Sequence, residues 1–170
     1  DRWVILDISN PSAPQHMSNL TGIGMHERIA TQDSLAFVPK WDGLYIYSFS
    51  DLSNPVELGS WWSGGASPGA LTVSGDYAYV ATNSYMLGVI DVSNPTAPFL
   101  AGSVTLAGNG TALAVEGAYL YVTIWEETPN VLVFDISTPP QPVLVGTFET
   151  RCTSLEAIAT SPQRVYFVTG

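Results

Sequence analysis

The 170-residue chain is long enough to bury a core of its own, and its 46% apolar and 12% charged residues place it among globular proteins. Fifteen acidic against five basic residues give a net charge of −10, a field that repels a phosphate backbone and argues against nucleic acid as a partner. No apolar run approaches the ~18 residues a membrane-spanning helix needs, and the single Cys152 has no internal disulfide partner and fits no metal-ligand spacing.

In chain order, the sequence repeats itself. An Asp, an aliphatic residue, a Ser, an Asn or Thr and a Pro recur at 7–11, 51–55, 91–95 and 135–139. The steps between the aspartates are 51 − 7 = 44, 91 − 51 = 40 and 135 − 91 = 44. A second series, Phe37, Tyr79, Tyr121 and Tyr166, advances in steps of 42, 42 and 45. A period of this size marks a repeat architecture.

Each period reads as four short strands. The clearest hairpins are 71–74 with 77–81, joined by Gly75-Asp76, and 113–116 with 119–123, joined by Gly117-Ala118. A third strand carries the Asp motif at 3–8, 44–52, 87–92 and 131–136. A fourth follows a Pro-rich corner at 18–21, 58–62, 100–105 and 143–148, marked by Gly59-Ser60, Gly102-Ser103 and Gly146-Thr147. The second repeat lacks the Ala-Pro that follows Pro11 and Pro95, which accounts for its shorter step in this alignment. The expected fold is all-β: a β-propeller of four-stranded antiparallel blades with a repeat near 42 residues.

Residues 1–170 then form one propeller domain or part of a larger one, with repeat boundaries near 22–69, 70–110 and 111–154. Residues 1–21 and 155–170 are half-blades, third and fourth strands at one end and first and second at the other. Three arrangements fit them: the ends complete one split blade, the four repeats belong to a longer propeller, or two copies complete a ring.

The string 87–98, Leu-Gly-Val-Ile-Asp-Val-Ser-Asn-Pro-Thr-Ala-Pro, with Gly75-Asp76-Tyr77-Ala78-Tyr79-Val80-Ala81 before it, resembles the LVIVD repeat of bacterial and archaeal surface proteins. The likeness covers essentially the whole chain and is weakest at Tyr47-Ser48-Phe49-Ser50. It implies a β-propeller in an extracellular or envelope setting, commonly without an enzymatic activity, and transfers no catalytic motif.

The chemistry on offer is sparse. Asp7, Asp51, Asp91 and Asp135 could supply Ca²⁺ oxygens, but one Asp per repeat before Asn-Pro is expected to accept turn N–H groups instead. No cofactor is expected. His16 and His26 have no zinc-type spacing, and the glycine-rich stretch 64–69 lacks the Lys of a phosphate loop. Asn19-Leu20-Thr21 and Asn109-Gly110-Thr111 match the glycosylation pattern.

Turns between second and third strands lie on one end of a propeller and differ from repeat to repeat. They place Trp41, Tyr85 and Trp125 at equivalent points, with Glu126 and Glu127 beside them, while the blade connections add His26, Glu27 and Arg151. Aromatic and Arg side chains dominate binding hot spots, so this is the expected recognition face, alternatively covered blade edges. The expected function is a non-enzymatic recognition or scaffold module of a secreted or cell-surface protein, with a protein or glycan partner. The alternative is a lectin or a hydrolase-like enzyme using the same face, with His26, Glu27, Arg151 and an acidic residue converging.

Overall fold

A computed structural model describes residues 2–21, 28–125, 130–150 and 155–169, with side chains over most of that range. The described residues form sixteen strands, every pairing between them antiparallel. Three complete four-stranded sheets follow one another in sequence. The first holds β3 (Ala30–Gln32), β4 (Leu35–Lys40), β5 (Gly43–Ser48) and β6 (Val56–Trp62). The second holds β7 (Pro68–Ser74), β8 (Tyr77–Thr82), β9 (Met86–Asp91) and β10 (Phe99–Thr105). The third holds β11 (Asn109–Glu116), β12 (Tyr119–Trp125), β13 (Val131–Asp135) and β14 (Val143–Phe148). Two hairpins flank them, β1 (Arg2–Asp7) with β2 (Gln15–Thr21) and β15 (Leu155–Ser161) with β16 (Arg164–Thr169).

The sheets stack face to face. Phe37, Leu44 and Ile46 of the first meet Leu71, Ala78, Val80 and Ile90 of the second in one buried cluster. Tyr79, Ala81, Leu87 and Val89 on the opposite face meet Leu120, Val122, Ile124, Leu132 and Phe134 of the third. β8 is thus buried on both faces, which is why Tyr-Ala-Tyr-Val-Ala runs apolar without alternating.

Glycine permits the closest approaches between blades. A Cβ on Gly110 would lie 2.4 Å from the Cβ of Ala81, so β11 rests directly on the second blade. Gly59 and Gly102 explain the marker of the fourth strand. A Cβ at Gly59 would strike the backbone of Pro95 and Thr96, and one at Gly102 the carbonyl of Pro140, each in the corner of the next blade. Ser18 occupies the matching place on β2, and its hydroxyl donates to the Leu52 carbonyl in the next corner.

Each corner is an Asx turn. Asp7, Asp91 and Asp135 Oδ1 accept the N–H groups of Ser9, Ser93 and Ser137 at 2.8, 3.0 and 2.8 Å. The second repeat is the exception. Ser48, not Asp51, ends its third strand, and Phe49 N–H bonds to Ser34 as Val92 bonds to Asp76 and Ile136 to Ala118. Asp51 instead accepts from Ser53 as Asn94 does from Thr96 and Asn10 from Ser12. The alignment of Asp51 with the other three aspartates is therefore corrected by 51 − 48 = 3 residues. The true steps are 48 − 7 = 41, 91 − 48 = 43 and 135 − 91 = 44, and Pro55 matches Pro14 and Pro98, so no Ala-Pro segment is missing.

Hydrogen bonds from Ser9 and Ser137, backbone first and hydroxyl second, hold the Asp7 and Asp135 carboxyls below their usual 3.8, and the Ser53 hydroxyl and N–H do so for Asp51. A depressed folded-state pKa contributes stability that is full above the unfolded value and lost as pH falls through the folded one. The melting temperature is therefore expected to fall as pH drops through and below 3.8. Asp7→Asn with Asp135→Asn should keep the turns, as Asn10 and Asn94 do, and make that fall shallower. An unchanged acid limb in a pH series of thermal melts would contradict the assignment.

Candidate recognition face

The turns joining second to third strands and the connections between blades share one end of the stack. Trp41 sits in the β4–β5 turn, Tyr85 in the β8–β9 turn and Trp125 at the end of β12. They are 70%, 44% and 53% exposed, so these rings do not fold back to cover blade edges. Tyr85 holds φ 61°, in the left-handed region. His26, Glu27, Glu126, Glu127 and Arg151 lie outside the described residues.

Hydrogen bonds pin the first two turns to the neighbouring connections and tie Asn130, just ahead of β13, to Thr150. Ser63 N–H donates to the Asp42 carbonyl at 2.8 Å, and Leu106 N–H to that of Tyr85 at 2.7 Å. Asn83 Oδ1 accepts from Ser67 N–H at 3.0 Å, and Asn130 Oδ1 from Thr150 N–H at 3.0 Å. Trp41 and Tyr85 therefore stand on a fixed backbone.

Two further features belong to this end: the adjacent Trp61 and Trp62, which the sequence places on opposite faces of one strand, and a cluster it did not reveal. Trp62, 72% exposed, ends β6 opposite Gly43, one turn residue away from Asp42 and Trp41, while its neighbour Trp61 packs inward. The second is a polar cluster in the same blade. Lys40 Nζ lies 3.7 Å from the Tyr45 ring centroid, donates to Tyr47 Oη at 2.9 Å and stands 3.8 Å from Glu57. Tyr47 Oη donates in turn to Glu57 Oε2 at 2.8 Å, and Tyr45 Oη to Asp42 Oδ2 at 3.0 Å. Asp42 Oδ1 is buried without a hydrogen-bond partner among the described residues. Burial, then the bonded Glu57 carboxylate, pushes the Tyr47 phenol far above its usual value; burial and Asp42 raise Tyr45. Both phenols donate hydrogen bonds to carboxylates.

The remaining candidates are scattered. His16 Nε2 lies 3.2 Å from Asn19 Oδ1 on an exposed strand. Gly64 and Gly65, at φ 72° and 94°, form a turn between β6 and β7. Among the described residues no three His, Cys, Asp or Glu side chains gather as a metal site. No helix of the described residues is long and apolar enough to cross a membrane.

The LVIVD repeat matches residues 2–21, 66–106 and 107–150, well over half the chain. The chain belongs to the LVIVD repeat family. It is a family of β-propeller repeats, and the unmatched 22–65 contains both the shifted Asp51 turn and the Lys40 cluster. No curated protein matches the sequence. Among solved structures, a protein from Lactobacillus plantarum superposes with a TM-score of 0.80 at 19% identity, covering 98% of this chain and 57% of that one. The computationally designed Ika4 protein matches at 0.66 and 14% identity, over 83% of this chain and 82% of its own. The glutaminyl cyclase of Myxococcus xanthus matches at 0.58 and 18% identity, over 91% and 72%. At such identities the likeness concerns the fold alone. This chain spans little more than half the Lactobacillus protein and 46% of the designed Ika8.

If the Lys40 cluster braces the first blade, Tyr47→Phe removes two hydrogen bonds without changing packing. It should cost about 1–2 kcal/mol in denaturant unfolding. Unchanged stability would show that the cluster is not part of the scaffold.

Proposed function

We propose that this LVIVD propeller is a non-enzymatic recognition module of a secreted or cell-surface protein, bacterial or archaeal. The observation that carries the reading is the exposure of Trp41, Tyr85 and Trp125 at equivalent turns of successive blades. Large rings left in water on pinned turns contribute little to folding and suit a partner surface, because they bury much area at low entropic cost on contact. The opposite end carries short Asx turns in successive corners, though not at one common position, and they do a structural job. Trp62 extends the aromatic surface. The reading takes the two half-blades as parts of one blade in a propeller ring. It assigns the partner to envelope protein or glycan and needs no cofactor.

The test is binding of the purified protein to isolated bacterial cell envelopes and to a glycan array. The Trp41→Ala, Trp125→Ala double variant is expected to weaken binding by at least about tenfold. Its melting temperature should stay within about 2 °C of the parent, since neither ring is in the core. Binding retained by this variant, or lost only together with folding, would contradict the reading.

A further inference from the structure

The connection between β6 and β7, residues 63–67, touches the turns on both sides of it. Ser63 N–H and Oγ donate to the Asp42 carbonyl at 2.8 and 2.9 Å, which ties its start to the turn of Trp41. Ser67 N–H donates to Asn83 Oδ1 and Asn83 N–H to the Ser67 carbonyl, both at 3.0 Å, which ties its end to the turn of Tyr85. Between the two ties lie Gly64 and Gly65, at φ 72° and 94°. Both are exposed, and a Cβ on either would meet nothing within 4 Å.

The result is a strip of backbone bare of side chains, in a left-handed conformation that glycine adopts without strain. Exposed indoles border it. Trp62, directly before Ser63, is 72% exposed, and Trp41, directly before Asp42, is 70% exposed. They stand on neighbouring backbone, since Gly43 pairs with Trp62 in the β5–β6 ladder. Asn83 borders the other side and is exposed. Its Oδ1 is committed to Ser67, which fixes the amide orientation, and its Nδ2 makes no hydrogen bond among the described residues.

We propose that this strip is a binding site for a neutral saccharide, with a sugar ring on the Trp62 or Trp41 indole beside Gly64-Gly65 and a sugar hydroxyl accepting from Asn83 Nδ2. The site lies within the recognition face proposed above and rests on that reading, which it narrows to one blade and one ligand class.

The surrounding chemistry selects the ligand. A pyranose has a face of C–H groups and a rim of hydroxyls, so it suits a flat aromatic surface with single polar groups beside it. Among the described residues, every large apolar side chain exposed in these turns and at the ends of the fourth strands is aromatic: Trp41, Trp62, Tyr85, Trp125 and Phe148. A stable protein interface is centred on a continuous apolar patch, which glycine, serine and asparagine interrupt here. Charge argues against an acidic sugar. The chain carries −10, and Lys40, the cation nearest these indoles in sequence, is taken up by the Tyr45 ring, Tyr47 Oη and Glu57. Uronate, sulfate and phosphate groups would be repelled by that field.

The place of the site in the sequence agrees. Trp41, Trp62, Gly64 and Gly65 all fall in 22–65, the stretch that the LVIVD repeat leaves unmatched although it folds into the same four-stranded sheet. The equivalents of Trp62 on β10 and β14 are Thr105 and Phe148, and a glycine pair follows neither.

The test is a fluorescence and NMR titration of the purified protein. The probes are soluble neutral oligosaccharides of glucose, mannose and N-acetylglucosamine, with oligogalacturonate as the acidic control. Saturable binding of a neutral oligomer is expected, with the indole N–H signals of Trp41 and Trp62 shifted and that of the inward-packed Trp61 shifted least. Trp62→Ala should weaken binding by at least about tenfold, whereas Phe99→Ala, which removes an exposed ring at the opposite end, should leave it unchanged. Should Trp62→Ala fail to fold, the indole shifts of the unaltered protein decide. Binding of no neutral oligomer would overturn the proposal. If that protein still bound envelopes through its aromatic turns, the recognition reading would stand and its partner would be a protein. Equal binding of oligogalacturonate, or neutral binding untouched by Trp62→Ala, would also overturn it.

Discussion

Everything in this molecule depends on the flat packing of one β-sheet face against the next. Ala78 and Val80 serve one interface and Tyr79 and Ala81 the other, so the second blade is core on both sides. Hydrogen bonds within each sheet leave the sheets themselves unconnected. What joins them is chiefly buried apolar area, worth about 25 cal/mol per Å² before entropy is counted, with contacts that require glycine and a few side-chain hydrogen bonds such as Gln32 to the Gly75 carbonyl. Gly110 on Ala81 sets the spacing of the inner strands, and Gly59 and Gly102 set that of the outer ones.

This constraint sorts the two ends of the stack. The corners at Pro95 and Pro140 lie against a glycine of the preceding blade and the corner at Leu52 against Ser18, and these turns are held by Asp, Asn or Ser as acceptor. The opposite end carries no such duty. Its turns differ in length and composition, and they can hold Trp41, Tyr85 and Trp125 in water. The Asn83 and Asp42 contacts hold the turns of Trp41 and Tyr85 without burying the rings. A surface that is firm, varied and aromatic is what recognition of a partner requires.

The strand pattern was legible in the sequence because its cause is local: period-two packing, Gly-containing hairpin turns, and a proline corner once per repeat. The position of the three aromatics at one end was legible, but not their exposure, since rings there could as well cover blade edges; the structure leaves them exposed. The register of the second repeat was not legible. Asp51, Asn94 and Asn10 all accept the same kind of turn hydrogen bond, so an Asp aligned by letter with Asp91 was in fact three residues further along. The Lys40, Tyr47 and Glu57 cluster was invisible for another reason. Its members come from three strands at separations that no repeat imposes, and only the β4-β5-β6 pairing brings them together.

The close approach of neighbouring blades can be tested at one contact. Gly110 has ordinary backbone angles, so Gly110→Ala adds only a methyl group, aimed at Ala81. The variant's melting temperature is expected to fall by roughly 4–8 °C. Ala81→Gly in the same chain should recover part of that loss, because it removes the opposing methyl. A Gly110→Ala protein that melts as the parent does, or one that Ala81→Gly makes still less stable by the full cost of the second change, would contradict blade-on-blade packing as the basis of the structure.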